Sequence, residues 1–222
     1  MRNLDRWWTP RVRGVLGAML GEAERSGGLV GELVRVVLCR TLIACSGAAF
    51  NHPSMSFRRE GARDLTVDEV VGQARRDAEV VAGTLLGNPV GSARVVQGDA
   101  RDLAGVGTGT VDVLVTSPPY ANRMSYVREL RPYMYWLGYL REAGEAGELD
   151  GRAVGGTWGA ATSRLLRWEP SGAWVPESVL RGVEEVRGKS EVLGRYVHRY
   201  FDDMGRHFGA AARVVRSISP TT

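Results

Sequence analysis

Apolar residues recur at Val12, Val15, Leu16, Met19 and Leu20, the three-and-four spacing of one helical face. Thr9 suits the cap of that helix and Pro10 its first turn. Ser26-Gly27-Gly28 breaks the pattern, and Leu29 to Ala44 reads as a second, more buried helix, so the two predict an α-hairpin. Ser46 to Leu65 reads as a loop carrying His52-Pro53-Ser54. Thr66 followed by Glu69 has capping-box spacing and opens a helix through Val70, Val71, Ala74, Ala78, Val81 and Leu85. Gly87-Asn88-Pro89 ends it. Further along, Met124 to Leu140 predicts an aromatic-rich helix with Pro132 as a kink or break. Glu177 to Gly188 predicts a short helix. Ser190 to Val215 predicts a long one, with Val192, Tyr196, Val197, Tyr200, Phe201, Met204 and Phe208 on its apolar side.

Two segments have a different pattern. Ala93 to Gln97 and Val113-Leu114-Val115 are short β-branched runs that predict strands, the second of them buried. The second stops at Thr116-Ser117-Pro118-Pro119-Tyr120, because two prolines lack N–H donors and fix φ. A stiff polar turn past the carboxyl end of a strand is where open α/β sheets place ligands. The stretch 143–175, rich in Gly and Trp, reads as an irregular insertion beside that turn, a target-recognition segment or a packed lid. The organisation expected is a helical hairpin and loop over 1–65, then a second domain over 66–222.

Composition narrows the classes. The 222 residues suffice for one domain with an elaboration, and 44% hydrophobic with 24% charged residues is ordinary for a soluble globular protein. No apolar run approaches the length of a membrane span, the N-terminus lacks the apolar core of a signal peptide, and a cytoplasmic location is expected. Cys39 and Cys45 are too few for a disulfide framework or a zinc site and read as core thiols. His198 and His207 lie nine apart on one predicted helix, so no metal site is expected and capping or solvated roles are the default. The net charge of +4 is compatible with nucleic acid, but Lys189 is the single lysine, so the arginine excess reflects codon bias as much as phosphate binding.

The chemistry that Ser117 to Tyr120 can offer is specific. Exocyclic amino groups of cytosine and adenine are poor nucleophiles because the nitrogen lone pair is delocalised into the ring. A hydroxyl and a carbonyl at fixed spacing can accept both N–H hydrogens and favour a tetrahedral nitrogen, and a following aromatic can stack on a flipped base. The plainer alternative is a strand ending in a Pro-Pro turn with a buried tyrosine.

Thr116-Ser-Pro-Pro-Tyr120 resembles motif IV of the S-adenosylmethionine-dependent DNA amino-methyltransferases, and the Ser-Pro-Pro-Tyr form looks most like their N4-cytosine branch. Val95-Val-Gln-Gly-Asp99-Ala-Arg-Asp-Leu103 resembles motif III. Met124 to Gly138, Gly155 to Gly159 and Tyr196 to Met204 resemble later segments of a bacterial subset, and the Trp7-Trp8 hairpin resembles the helical segment that precedes them. The resemblance implies an α/β fold, a partial Rossmann-like class I methyltransferase sheet flanked by helices. It implies methyl transfer from S-adenosylmethionine to cytosine N4 in double-stranded DNA with the target base flipped out. Ser117 and the Pro118 carbonyl would hold the amino group, Pro119 would stiffen the turn, and Tyr120 would stack on the base. Asp99, with the Ala100 backbone beside it, would contact the cofactor adenine; a turn or helix-cap residue is the alternative. Arg123, Arg128 and Arg131 would contact phosphates, with a solvated helix face as the alternative. N6-adenine methylation and a non-catalytic DNA-binding accessory subunit are the other functions considered.

Two departures matter. The glycine loop that cradles the cofactor in the family is missing: Ala104-Gly-Val-Gly-Thr-Gly109 precedes a predicted strand instead of following one. The acidic residue that would hold the ribose is missing too. These departures imply a degenerate site, or a second polypeptide that carries the missing motif.

Overall fold

The computed structural model describes residues 4–49, 56–87, 91–121, 125–154 and 161–216. It divides into two compact units, one of residues 1–92 with 129–143 and the other of 93–128 with 144–222.

The first unit is built on α1 (Leu4–Trp7), α2 (Pro10–Ser26), α3 (Gly28–Ala44) and α4 (Val67–Leu85). Thr9 Oγ1 accepts from the Val12 N–H, and Gly27 and Gly28, at φ 57° and 49°, make the turn into α3. Gly31 lies so close to the Ala23 carbonyl that a Cβ there would come within 2.5 Å of the oxygen. α4 opens on the Thr66–Glu69 capping box. The core gathers Trp8, Val12, Leu16, Leu38, Leu42 and Val70, all fully buried. Trp8 donates its indole N–H to the Leu42 carbonyl at 2.7 Å and meets Trp136 edge to face at 5.8 Å. A buried carboxylate, Asp77 on α4, accepts from Thr41 and Gln73 and pairs with Arg40. Cys45 is buried and Cys39 half-buried; both thiols are free, and burial pushes both pKa values up.

β1 (Ala48–Ala49) and β2 (Ser56–Phe57) form a two-stranded antiparallel sheet in this unit, the one sheet among the described residues. The expected partial Rossmann-like sheet is therefore corrected: the chain is mostly helical, and 93–97 and 113–115 form no strand. A single parallel bridge, Val111 to Val215, stands where a ladder was expected. Val113-Leu114-Val115 is not buried either; Val113 is 75% exposed and Val115 90%, and Val95 in the earlier segment is 97% exposed. The reason is physical. A parallel strand needs hydrogen-bonded neighbours and a helical layer on each face, and two short runs supply neither.

α5 (Tyr126–Trp136) contains Pro132 within a continuous helix, so the expected break does not occur. The second unit adds α6 (Ala143–Arg152), α7 (Ala161–Leu166), α8 (Glu177–Lys189) and α9 (Glu191–Val214). The stretch 143–175 thus holds two short helices where irregular chain was expected; three glycines in Ala143–Arg152 mask the helical pattern. α9 is the frame of this unit. Ser190 caps it, and α7 and α8 pack along it. Its buried side carries Tyr196, Met204 and Val214, as an apolar stripe should, but also Asp202, Asp203 and His207, whereas Phe208 is 58% exposed.

Candidate functional site

The extended segments reach α9 through specific hydrogen bonds. At the first, Asp99 folds back on itself: its carboxylate accepts from the Arg101 backbone N–H at 2.9 Å, and its carbonyl accepts from the Leu103 N–H at 2.9 Å. The Arg101 guanidinium binds both oxygens of the Asp99 carboxylate, at 2.9 and 2.7 Å, and reaches Asp203 on α9 at 3.2 Å. That guanidinium holds the Asp99 carboxyl below its ordinary pKa, while the two carboxylates push Arg101 up. Nδ1 of His207 lies 2.7 Å from the Ala100 carbonyl. A carbonyl can only accept, so Nδ1 carries the proton.

At the second segment, Tyr200 of α9 donates its hydroxyl to the Pro119 carbonyl at 2.8 Å. Burial, and Tyr126 nearby, raise the Tyr200 pKa, so the phenol stays protonated and able to donate. The Tyr120 N–H donates to the Tyr126 hydroxyl at 3.3 Å. Ser117, Pro118 and Tyr120 are exposed, with Tyr120 at 66%, and Pro119 is half-buried. Tyr120 is thus not the buried tyrosine of the plainer alternative.

Between the segments, Arg213 of α9 closes the glycine-containing loop by donating to the carbonyls of Asp102, Leu103 and Val106. Val111 accepts from Arg216 and donates to Val214, which makes the short parallel bridge. Ser125 donates to Asp150 at 2.6 Å and caps the start of α5 through the Arg128 N–H.

Arg128 is half-buried and Arg131 exposed on α5. Arg123, His52-Pro53-Ser54 and Gly155 to Gly159 lie outside the described residues. Sequence reasoning gave no site role to Tyr200, Asp203, Arg101, Arg213 and Tyr126, and it read His207 as solvated or capping, whereas His207 is buried against the Ala100 carbonyl. The signal that could have found the α9 residues is a run of polar groups on an otherwise apolar helical stripe.

The arrangement also tests whether these residues suit S-adenosylmethionine. Both oxygens of Asp99 are taken by Arg101, and the chain that follows turns the carbonyls of Asp102, Leu103 and Val106 onto Arg213 where a cofactor cradle would present N–H groups. On this geometry the described residues do not fit the cofactor unaided.

Fold and site define a helical protein in which one long helix holds two segments of irregular chain and leaves the Ser-Pro-Pro-Tyr run largely exposed. No family model, curated protein or solved structure matches the chain. Among the described residues no helix is long and apolar enough to cross a membrane.

Proposed function

We propose that this chain supplies the target-base half of a DNA amino-methyltransferase acting on cytosine N4, with the cofactor held by polypeptide beyond these residues. The observation that carries the reading is the state of the Ser-Pro-Pro-Tyr turn: its hydroxyl and tyrosine ring are exposed, while the carbonyl of Pro119 is fixed from α9. In this reading Ser117 Oγ and the Pro118 carbonyl accept the two hydrogens of the amino group. Tyr120 offers its ring to the extruded base, and base stacking on an aromatic contributes about 1–3 kcal/mol. Arg123, Arg128 and Arg131 follow the turn in sequence and bind phosphates in this proposal.

A specific observation favours a second reading. Arg101 occupies the carboxylate that would face the cofactor, as expected of an accessory DNA-binding subunit with a remnant site.

Ser117→Ala in the methylation-competent complex separates the two. Loss of one preorganised hydrogen-bonding group lowers turnover by about 10²–10³-fold on the enzymatic reading, with DNA affinity retained. Methyl transfer at the wild-type rate would remove Ser117 from the chemistry and leave the accessory reading standing.

A further inference from the structure

The two phenols at the turn act on one peptide unit. Tyr200 donates to the carbonyl of Pro119, and Tyr126 accepts from the N–H of Tyr120, and these two groups belong to the same peptide plane. A peptide plane bonded at both ends cannot rotate about its flanking ψ and φ without breaking a bond. The rings of Pro118 and Pro119 fix φ at both residues, which leaves the ψ angles as the backbone freedom of the turn. Holding the plane fixes the Cα atoms of Pro119 and Tyr120, so it limits where the Pro118 carbonyl can lie behind it and where the Tyr120 ring leaves the backbone ahead of it. The holding residues come from separate elements, Tyr126 from the first turn of α5 and Tyr200 from the middle of α9. α9 is itself tied to the other extended segment through Asp203 and His207, three and seven residues on from Tyr200, so it sets both segments together.

We infer that Tyr126 and Tyr200 form a two-phenol clamp on the Pro119–Tyr120 peptide, and that they are the positioning residues of the base-holding turn. Neither is a catalytic residue; both act through the turn. The functional part of this inference rests on the methyltransferase reading, whereas the clamp itself is a structural claim and is tested apart from it.

The test places 3-fluorotyrosine at position 120 of the full chain and records its fluorine NMR spectrum. Wild type should give one line. Tyr200→Phe and Tyr126→Phe, which remove single oxygens, should each shift that line by more than its width or split it. Tyr139→Phe, an exposed tyrosine of the other unit, should leave it unchanged. The Tyr120 amide should exchange with solvent roughly five- to tenfold faster in Tyr126→Phe, the ratio expected for one lost hydrogen bond. An unmoved line and unchanged exchange in Tyr126→Phe overturn the clamp, and that variant decides the matter even if Tyr200→Phe does not fold. In a methylation-competent complex, Tyr200→Phe should lower kcat and leave the KM for DNA within twofold; the reverse split would make Tyr200 a DNA-binding residue and refute its positioning role. Responsive spectra with a wild-type complex that methylates no DNA would uphold the clamp and sink the methyltransferase reading.

Discussion

The two units meet the same physical requirement in opposite ways. In the first, polar groups are few and satisfied within an aromatic core: Trp8 finds the Leu42 carbonyl, and Asp77 finds Thr41, Gln73 and Arg40. In the second, the central helix buries Asp202, Asp203 and His207, while valines that ought to be inside stand in solvent. An arrangement that spends buried charge on holding two loops, and leaves β-prone segments open, is organised around position more than around its own stability. The contrast points to where function should be sought: at Ser117 to Tyr120, where the backbone is held from α9 and the serine and tyrosine side chains are exposed.

Five substitutions test that contrast. The largest effect is expected from Trp8→Ala, at about 3–5 kcal/mol of unfolding free energy by denaturant titration, since it opens the centre of the first unit. A cost below about 1 kcal/mol would mean that the aromatic core is not what holds that unit. Asp203→Ala should follow, at roughly 1–3 kcal/mol, because it removes one of the two carboxylates that pair with the partly buried Arg101 guanidinium. It should also loosen Asp99, which amide exchange at Arg101 would register; an unchanged exchange rate would refute the link from α9 to the first segment. Thr66→Ala removes the capping box of α4 and should cost about 1 kcal/mol. Val95→Thr and Val115→Thr, at exposed positions of the second unit, should stay within about 0.5 kcal/mol of wild type. A larger loss would show that the extended segments are covered in solution.

Asp99 adds a pH dependence. Its folded pKa is depressed, so its contribution to stability is present above the unfolded value of about 3.9 and is lost as pH falls through the lower folded value. Carboxyl carbon NMR should find Asp99 still ionised at pH values where exposed aspartates are half protonated. Arg101→Met, which removes the guanidinium, should bring its midpoint back toward them.

Much of the helical part was legible. The start of α2 at Thr9-Pro10, the break at Gly27-Gly28 and the Thr66 capping box follow from residues whose local chemistry determines a terminus. α8 and α9 fall within a residue or two of the periodicity for the same reason. The sheet was misread because strand pairing is not a local property. Val113-Leu114-Val115 has the composition of a buried strand, but composition cannot supply the neighbouring strands, and without them the run stays extended and exposed. α6 was missed because Gly144, Gly147 and Gly151 lower its propensity. At the site, Ser117 to Tyr120 could be singled out from its prolines, its hydroxyl and its aromatic ring. Its anchor could not, since Tyr200 lies 81 residues away and looked like one more apolar position of a helix.

In the proposed function, Ser117 to Tyr120 hold the amino group of a target cytosine. Its most direct test is nucleoside mass spectrometry of DNA from cells that carry the gene, cells that lack it, and cells that carry Ser117→Ala. The account predicts N4-methylcytosine in the first and none in the other two. Methylcytosine that survives the loss of the gene, or that Ser117→Ala leaves at the wild-type level, would contradict it.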